Sequence, residues 1–346
     1  MLNDEHLKKL LISHTPLIDV RAPIEFAAGS IPHSVNLPIM NDDERRQIGI
    51  CYKENGQAAA IALGHELVSG TNKDQKINAW ADYLKQHPEA EVFCFRGGLR
   101  SQISCEWIRQ SGFQKTPLSG GYKRLRRLLL NHLNESPFPD IYRLAGFTGS
   151  GKTSLLSTIS ESIDLEKYAS HKGSAFGSNG VQPSQVTFEN NVSLELMKAK
   201  AFIILEDESM TIGKLTVPRR LFKAMREAPM FLLTLDTDQR IRNIFEEYVL
   251  NHDEDFFVSG VQQISKKLGG KITSQISDLM RKGFNDQKIL ENHREWISLL
   301  LEHYYDPIYQ KDYLRNQKQI IFKGTAAEVS DYIQSLRKKS IPVDAF

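Results

Sequence analysis

Two short loops carry the residues best able to do chemistry. In Cys94-Phe95-Arg96-Gly97-Gly98-Leu99-Arg100 a thiol follows the apolar pair Val92-Phe93 and precedes a helical pattern over 102–108. A loop that leads into a helix aims several backbone N–H groups at one spot, and Arg96 and Arg100 add positive charge, so a thiolate there is stabilised. The same cradle suits a persulfide or perselenide anion. A lone strand-end cysteine is more often a small buried apolar residue, but the arginines and glycines around Cys94 argue for a nucleophile. Cys51 lacks this setting, and Cys105 reads as a packing residue, with a resolving thiol as the alternative.

The second loop, Gly146-Phe147-Thr148-Gly149-Ser150-Gly151-Lys152-Thr153, matches GxxxxGK[ST] in full and stands between an apolar run and a helical one. Its glycines let backbone N–H groups converge on an anion, and Lys152 supplies a mobile cation for the outer phosphate. Gly146, Gly149, Ser150, Gly151, Lys152 and Thr153 are therefore candidate ligands of a diphosphate-like group, which need not belong to adenosine. Downstream, the apolar run 201–205 ends in Glu206-Asp207-Glu208. Glu206 or Asp207 is the candidate for holding Mg²⁺ if the metal is used; a catalytic base, or one loop-organising acid beside two solvated ones, are the other readings. His171 and Lys172, in a segment rich in glycine and serine, are candidate phosphate contacts, and Phe176 a candidate wall for an apolar pocket.

These loops need sheets to hold them. Short apolar runs alternating with helical patterns predict parallel sheets covered by helices, an α/β chain. Leu17-Ile18-Asp19-Val20 reads as a buried strand, Pro23 as a helix start and Gly29 as its end. The polar, proline-broken stretch Asn134-Glu135-Ser136-Pro137-Phe138-Pro139 predicts a linker, hence a domain over 1–135 and a second over 136–346 with a mostly helical C-terminal part. Three cysteines are too few for a disulfide framework, and the chain opens without a basic segment and apolar run, which predicts a reduced, cytoplasmic protein with no membrane partner. A net charge of +2 is too small to argue for nucleic acid, so any RNA contact must be local. The candidate patch is Lys123, Arg124, Arg126 and Arg127 beside Tyr122; a solvated helix face is the competing reading.

The Asp19-Val20-Arg21 strand end, Gly29-Ser30-Ile31-Pro32, the Cys94 loop and Leu118-Ser119-Gly120-Gly121-Tyr122 resemble a rhodanese domain. Followed by the P-loop, 171–177, 205–209 with Ile212-Gly213, and Tyr304-Tyr305-Asp306-Pro307, the whole chain resembles the bacterial tRNA 2-selenouridine synthase family. It departs from many members at Lys172, where arginine is usual, and at Met210, where a basic residue is common.

That resemblance implies a rhodanese-like domain fused to a P-loop NTPase-like domain. It implies replacement of sulfur by selenium in wobble 2-thiouridine of tRNA (the Lys, Glu and Gln isoacceptors), through an S-geranyl intermediate made from geranyl diphosphate. Selenophosphate is the implied selenium donor, with an enzyme that supplies it as a partner and no permanently bound cofactor. Cys94, Arg96 and Arg100 then become the selenium-handling residues. Competing readings are an ATP-dependent RNA sulfurtransferase or kinase, and a non-catalytic module that senses nucleotide and docks a partner.

Overall fold

The computed structural model describes residues 4–172, 176–177, 180–285 and 288–340. Contacts divide it into two units, Met1–Pro137 with Pro183–Lys198, and Phe138–Gln182 with Ala199–Phe346. Of the segment read as a loop near a ligand, Gly173, Ser174 and Ala175 lie outside the described residues.

The first unit opens with helix α1 (Asp4–Ile12), strand β1 (Leu17–Asp19), helix α2 (Pro23–Ala28) and strand β2 (Ser34–Asn36). Helices α3 (Asp42–Leu67) and α4 (Gly70–Gln86) follow, then strand β3 (Glu91–Phe93) and helices α5 (Leu99–Gln110) and α6 (Gly121–Glu135). The three strands are parallel in the order β2-β1-β3, with Ile18 beside both Val35 and Val92. β1 is buried throughout, as a strand covered on both faces must be. Its terminal Asp19 is fully buried yet paired, taking three bonds from the Arg21 guanidinium at 2.6, 2.9 and 3.0 Å. Asn41 starts α3 with a reciprocal cap, accepting from the Glu44 amide while its own amide donates to the Glu44 carboxylate. Gly56, at φ 81°, kinks this long helix.

The second unit begins with strand β4 (Asp140–Gly146), helix α7 (Lys152–Ser157), strand β5 (Ser162–Ile163) and helix α8 (Leu165–Ala169). Helix α9 (Gln185–Lys198) comes next in the chain but packs with the first unit, where the sequence reading had placed all of 136–346 in the second. The cause is its buried face: Leu194 and Met197 join Leu7, Leu11, Leu125 and Leu129 in one apolar cluster, and the Ser193 hydroxyl donates to the Leu129 carbonyl at 2.6 Å. Strand β6 (Phe202–Glu206), the hairpin β7 (Thr211–Ile212) and β8 (Leu215–Thr216), helix α10 (Arg219–Glu227) and strand β9 (Met230–Leu233) return the chain to the second unit.

Helices α11 (Thr237–Ile244), α12 (Glu254–Leu268), α13 (Gly270–Asn285), α14 (Leu290–Leu300) and α15 (Asp306–Arg315) build a helical layer, before strand β10 (Ile320–Gly324) and helix α16 (Ala326–Ser340). The five main strands are all parallel, in the order β10-β9-β4-β6-β5, so β4 sits in the middle. Leu144 pairs with Glu206 and Gly146 with Leu233, which brings the P-loop and the acidic run to the same carboxyl edge. That edge is where open parallel sheets bind ligands. The helical layer has its own core around Phe257, Trp296, Ile297 and Leu300.

Candidate functional site

In the first unit Cys94 directly follows β3, 3% exposed, with its loop running into α5. Its Sγ lies 3.2 Å from the Ser101 hydroxyl and 3.8 Å from the Gly98 carbonyl. Burial pushes this thiol up, but hydrogen bonds from Ser101 and from the Ser101 and Arg96 amides, with the charge of Arg100, outweigh it and leave the thiol below its ordinary value. Cys105, by contrast, is pushed up to about 12 by burial, which suits packing and not thiol exchange.

The loop is locked from beneath by 118–123. The Tyr122 and Lys123 amides donate to the Cys94 and Phe95 carbonyls, both at 2.9 Å. Gly121, at φ 52°, admits this approach because a Cβ there would lie 2.2 Å from the Cys94 carbonyl oxygen. The arginines divide their work. Arg100 reaches electrostatically toward Cys94, yet its guanidinium is bound to Glu25. Arg96 is exposed, 6.0 Å from the ring of Phe95. Ser101, absent from the sequence-derived site, is the side chain that touches the sulfur.

In the second unit the P-loop closes over the end of β4. Gly149 and Gly151 take φ of 77° and 84°, and a Cβ on Gly146 would meet the Ser150 hydroxyl at 2.4 Å. The loop's outward carbonyls are held by side chains that the motif does not announce. Arg240 donates to the Thr148 carbonyl at 2.8 Å, and Asn243 to that of Gly149 at 2.8 Å. Lys152 donates to the Gly146 carbonyl at 3.0 Å. Burial would lower its ammonium, but Tyr309, Glu206, Glu166 and Glu208 around it raise it instead, so Lys152 stays charged.

A cavity of about 300 Å³ opens beside this loop, at the small end of ligand sites. At one end it is lined by Thr148 to Thr153, Lys172, Glu166 and Glu206 to Ser209. The rest of the lining is hydrocarbon and aromatic, with Phe257, Trp296, Leu300, Leu301 and Tyr305, while the Tyr309 ring stands at the cradle, 5.7 Å from the Lys152 ammonium. Two π-helical turns, Phe245–Val249 and Leu301–Tyr305, place Tyr248 and Tyr305 on its wall. Phe176 also lines it and packs against Gly260 of α12, where a Cβ would sit 2.1 Å from the ring.

The expected contacts sort themselves in this cavity. Lys172 lines it, ion-paired to Glu247 and 4.4 Å above the Tyr248 ring. His171 is not among the lining residues; its Nδ1 is buried, and burial lowers its pKa, so it stays neutral. Asp207 is a poor candidate for a cation, because one of its oxygens takes Arg143 at 2.8 Å and Arg226 at 3.3 Å. Glu206 is different: 1% exposed, with Oε2 buried and without a hydrogen-bond partner among the described residues. Glu166, Glu206 and Glu208 each offer an oxygen within 4.8 Å of the others. Burial, then the Glu166 charge, raises Glu206 well above the carboxylate range and Glu208 to about 8. Three carboxylates this close repel, and a hard divalent cation satisfies oxygens of that kind. Glu166 was not singled out in the sequence, since it stands alone in α8; only its placement beside Glu206 reveals it.

Of the RNA candidates, Lys123 and Arg127 are exposed on α6. Arg126 is turned to Glu189 and Asn190 of α9, and Arg124 to Asp4. The four therefore do not form one free basic patch.

Comparison with known proteins agrees with this arrangement. Residues 139–340 match the family described as the tRNA 2-selenouridine synthase AAA domain. The chain is similar over nearly its full length to proteins named tRNA 2-selenouridine synthase. That of Shewanella frigidimarina is 42% identical, covering 94% of this chain and 96% of the relative. That of Marinobacter nauticus is 41% identical (96% and 97%), and that of Pseudomonas putida 38% identical (95% and 96%). The chain belongs to the tRNA 2-selenouridine synthase family. It is an enzyme of α/β fold with a P-loop domain. No described helix is long and apolar enough to cross a membrane.

Proposed function

We infer that the chain replaces the 2-sulfur of wobble 2-thiouridine in tRNA by selenium, in two steps divided between its two units. The observation that carries the reading is the two-sided cavity of the second unit, with a phosphate cradle at one end and a wall of Phe257, Trp296, Leu300, Leu301 and Tyr305 at the other. A diphosphate head with a hydrocarbon tail matches both ends. Geranyl diphosphate is such a molecule.

In the first step the thiocarbonyl sulfur attacks C1 of the allylic diphosphate, the C1–O bond breaks, and the base loses its N3 proton. The P-loop amides and Lys152 stabilise the diphosphate as charge develops on its leaving oxygen. A divalent cation held by Glu166, Glu206 and Glu208 would add positive charge on the same side. In the second step the selenium of selenophosphate adds at C2, the C2–S bond breaks with departure of the alkyl thiolate, and water then cleaves the P–Se bond and releases phosphate. Alkylation makes this possible, because a thiolate leaves where a bare thiocarbonyl would have to expel sulfide. The Cys94 loop, in a pocket already tuned for an anion and with Ser101 beside the sulfur, holds the selenophosphate selenium against C2 at the selenide level. Lys123 and Arg127 supply phosphate contacts to the tRNA. The reaction belongs to the cytoplasm, where tRNA and a selenophosphate-supplying enzyme meet.

The test is mass spectrometry of the wobble nucleoside after 2-thiouridine tRNA is given geranyl diphosphate and then selenophosphate. A geranylated product that converts to selenouridine is expected. Selenouridine formed without the allylic donor, or nucleotide hydrolysis stimulated by tRNA in its place, would overturn the reading.

A further inference from the structure

Helix α3 is at odds with its own sequence. It spans Asp42–Leu67, yet Glu44 and Ala60 are its only buried residues. A surface helix normally sets its apolar stripe into the core. Here Ile48, Ile50 and Ile61 instead line a groove of about 760 Å³ closed on the far side by Leu99, Ile103 and Trp107 of α5. Ile50 is 43% exposed and Leu99 42%, so this hydrocarbon is open to solvent.

The groove is continuous with the Cys94 loop. Leu99 and Arg100, which end that loop and begin α5, are part of its wall. Val68 and Trp107 line it and share one apolar cluster with Cys94. The lining carries Arg45, Arg46, Lys53 and Arg100 against one acid, Glu25, which ion-pairs Arg45 and Arg100, so the rim keeps a net positive charge. An apolar floor beneath a basic rim suits an amphiphile whose hydrocarbon is tethered to a polyanion.

We propose that this groove receives the hydrocarbon chain of the S-alkylated tRNA base, seating the thioether so that C2 faces the Cys94 loop. The inference rests on the two-step reading above and adds to it a second prenyl site, distinct from the one that holds the allylic diphosphate. The chain would make the alkylated base bind at the selenium loop in preference to an unmodified one. Each methylene removed from water adds to that preference, so a ten-carbon chain discriminates strongly against a methyl group. The departing thiol keeps its chain in the groove while the C2–S bond breaks.

The experiment uses the full chain and tRNA geranylated beforehand, so that the second step is followed alone. Ile61→Glu and Ile48→Glu put charge on the groove floor, and Ile61→Trp fills it without charge. Each is expected to lower kcat/KM for selenation by about tenfold or more, with S-geranyl tRNA accumulating when both substrates are supplied. Geranyl transfer, which occurs in the other unit, is expected to stay at the wild-type rate, and an unchanged rate of iodoacetamide modification at Cys94 reports that the first unit is folded in each variant. With the wild type, S-methyl-2-thiouridine tRNA is expected to be selenated about tenfold or more less efficiently than the S-geranyl form. Equal selenation of the two RNAs, or normal selenation by the groove variants, overturns the proposal. A change of oligomeric state in the variants with selenation intact also overturns it, since the groove would then be covered by a second copy. Failure of the underlying reading looks different: the wild type would then make no geranylated tRNA, or leave it unconsumed.

Discussion

Arg240 and Asp306, 66 residues apart, form a two-pronged ion pair at 2.6 and 3.0 Å, while the Arg240 Nε donates to the Thr148 carbonyl of the P-loop at 2.8 Å. One buried guanidinium thus ties the start of α15 to the phosphate cradle. It turns a loop carbonyl outward, which helps leave the loop's N–H groups for the ligand. This pair gives the Tyr304-Tyr305-Asp306-Pro307 stretch a physical role: Asp306 fixes Arg240, and Arg240 fixes the loop.

Asp306→Asn leaves the Arg240 charge buried with a neutral partner, and breaking such a pair costs about 3 kcal/mol. We expect a lowered melting temperature and geranyl transfer reduced by about tenfold or more. Arg240→Lys should not rescue function, because a single ammonium cannot make the same fork. Wild-type transfer rates in both variants would remove the pair from the cradle.

Cys94 is held below the ordinary thiol value of 9.0, so its thiolate persists to lower pH than a free cysteine's. The rate of iodoacetamide modification at Cys94, resolved by peptide mass spectrometry, should have a midpoint below that of a free cysteine peptide in the same buffer. Ser101→Ala removes a hydrogen bond to the thiolate and should move that midpoint upward. A midpoint at or above that of the free cysteine peptide would sink the assignment. Cys94→Ala should abolish selenation and leave geranyl transfer intact; loss of both together would refute the division between units.

The three-glutamate cluster should bind a divalent cation in the intact protein. Titration with Mn²⁺ by calorimetry is expected to show one site, strengthened by diphosphate. Glu206→Gln should weaken it by about tenfold or more, and Asp207→Asn should not, because Asp207 is already engaged by Arg143 and Arg226. Equal affinity in the wild type and Glu206→Gln would place any bound cation elsewhere.

Charge reversal separates the basic residues of α6. Lys123→Glu and Arg127→Glu should each weaken tRNA binding and reduce the salt slope by about 1. Arg126→Glu should act chiefly on stability, because its partners are Glu189 and Asn190. A full loss of salt slope on changing Arg126 alone would reverse this ranking.

Much of this molecule is legible in the residues themselves. Cys94 between an apolar run and a helical one, and a complete GxxxxGK[ST] loop, report local backbone geometry, and local geometry is set by neighbours in sequence. The parallel strands are readable for the same reason, as short apolar runs bounded by turns. Helix α9 is not: its sequence position lies inside the second unit, and only the match of Leu194 and Met197 to the apolar faces of α1 and α6 assigns it to the first.

The amino-acid sequence by itself determined the α/β class, the two reactive loops and the family, because motifs and strand–loop–helix order are properties of contiguous residues. The tertiary structure decided the partners: Ser101 at the sulfur, Glu25 on Arg100, Arg240 and Asp306 behind the P-loop, Glu166 beside Glu206, and the apolar wall facing the phosphate cradle. It also leaves His171 out of the cavity lining and engages one Asp207 oxygen with Arg143 and Arg226. These relations join residues far apart in the chain. Hydrogen bonding, burial and charge act through space, so they are set only when the sheets bring those residues together.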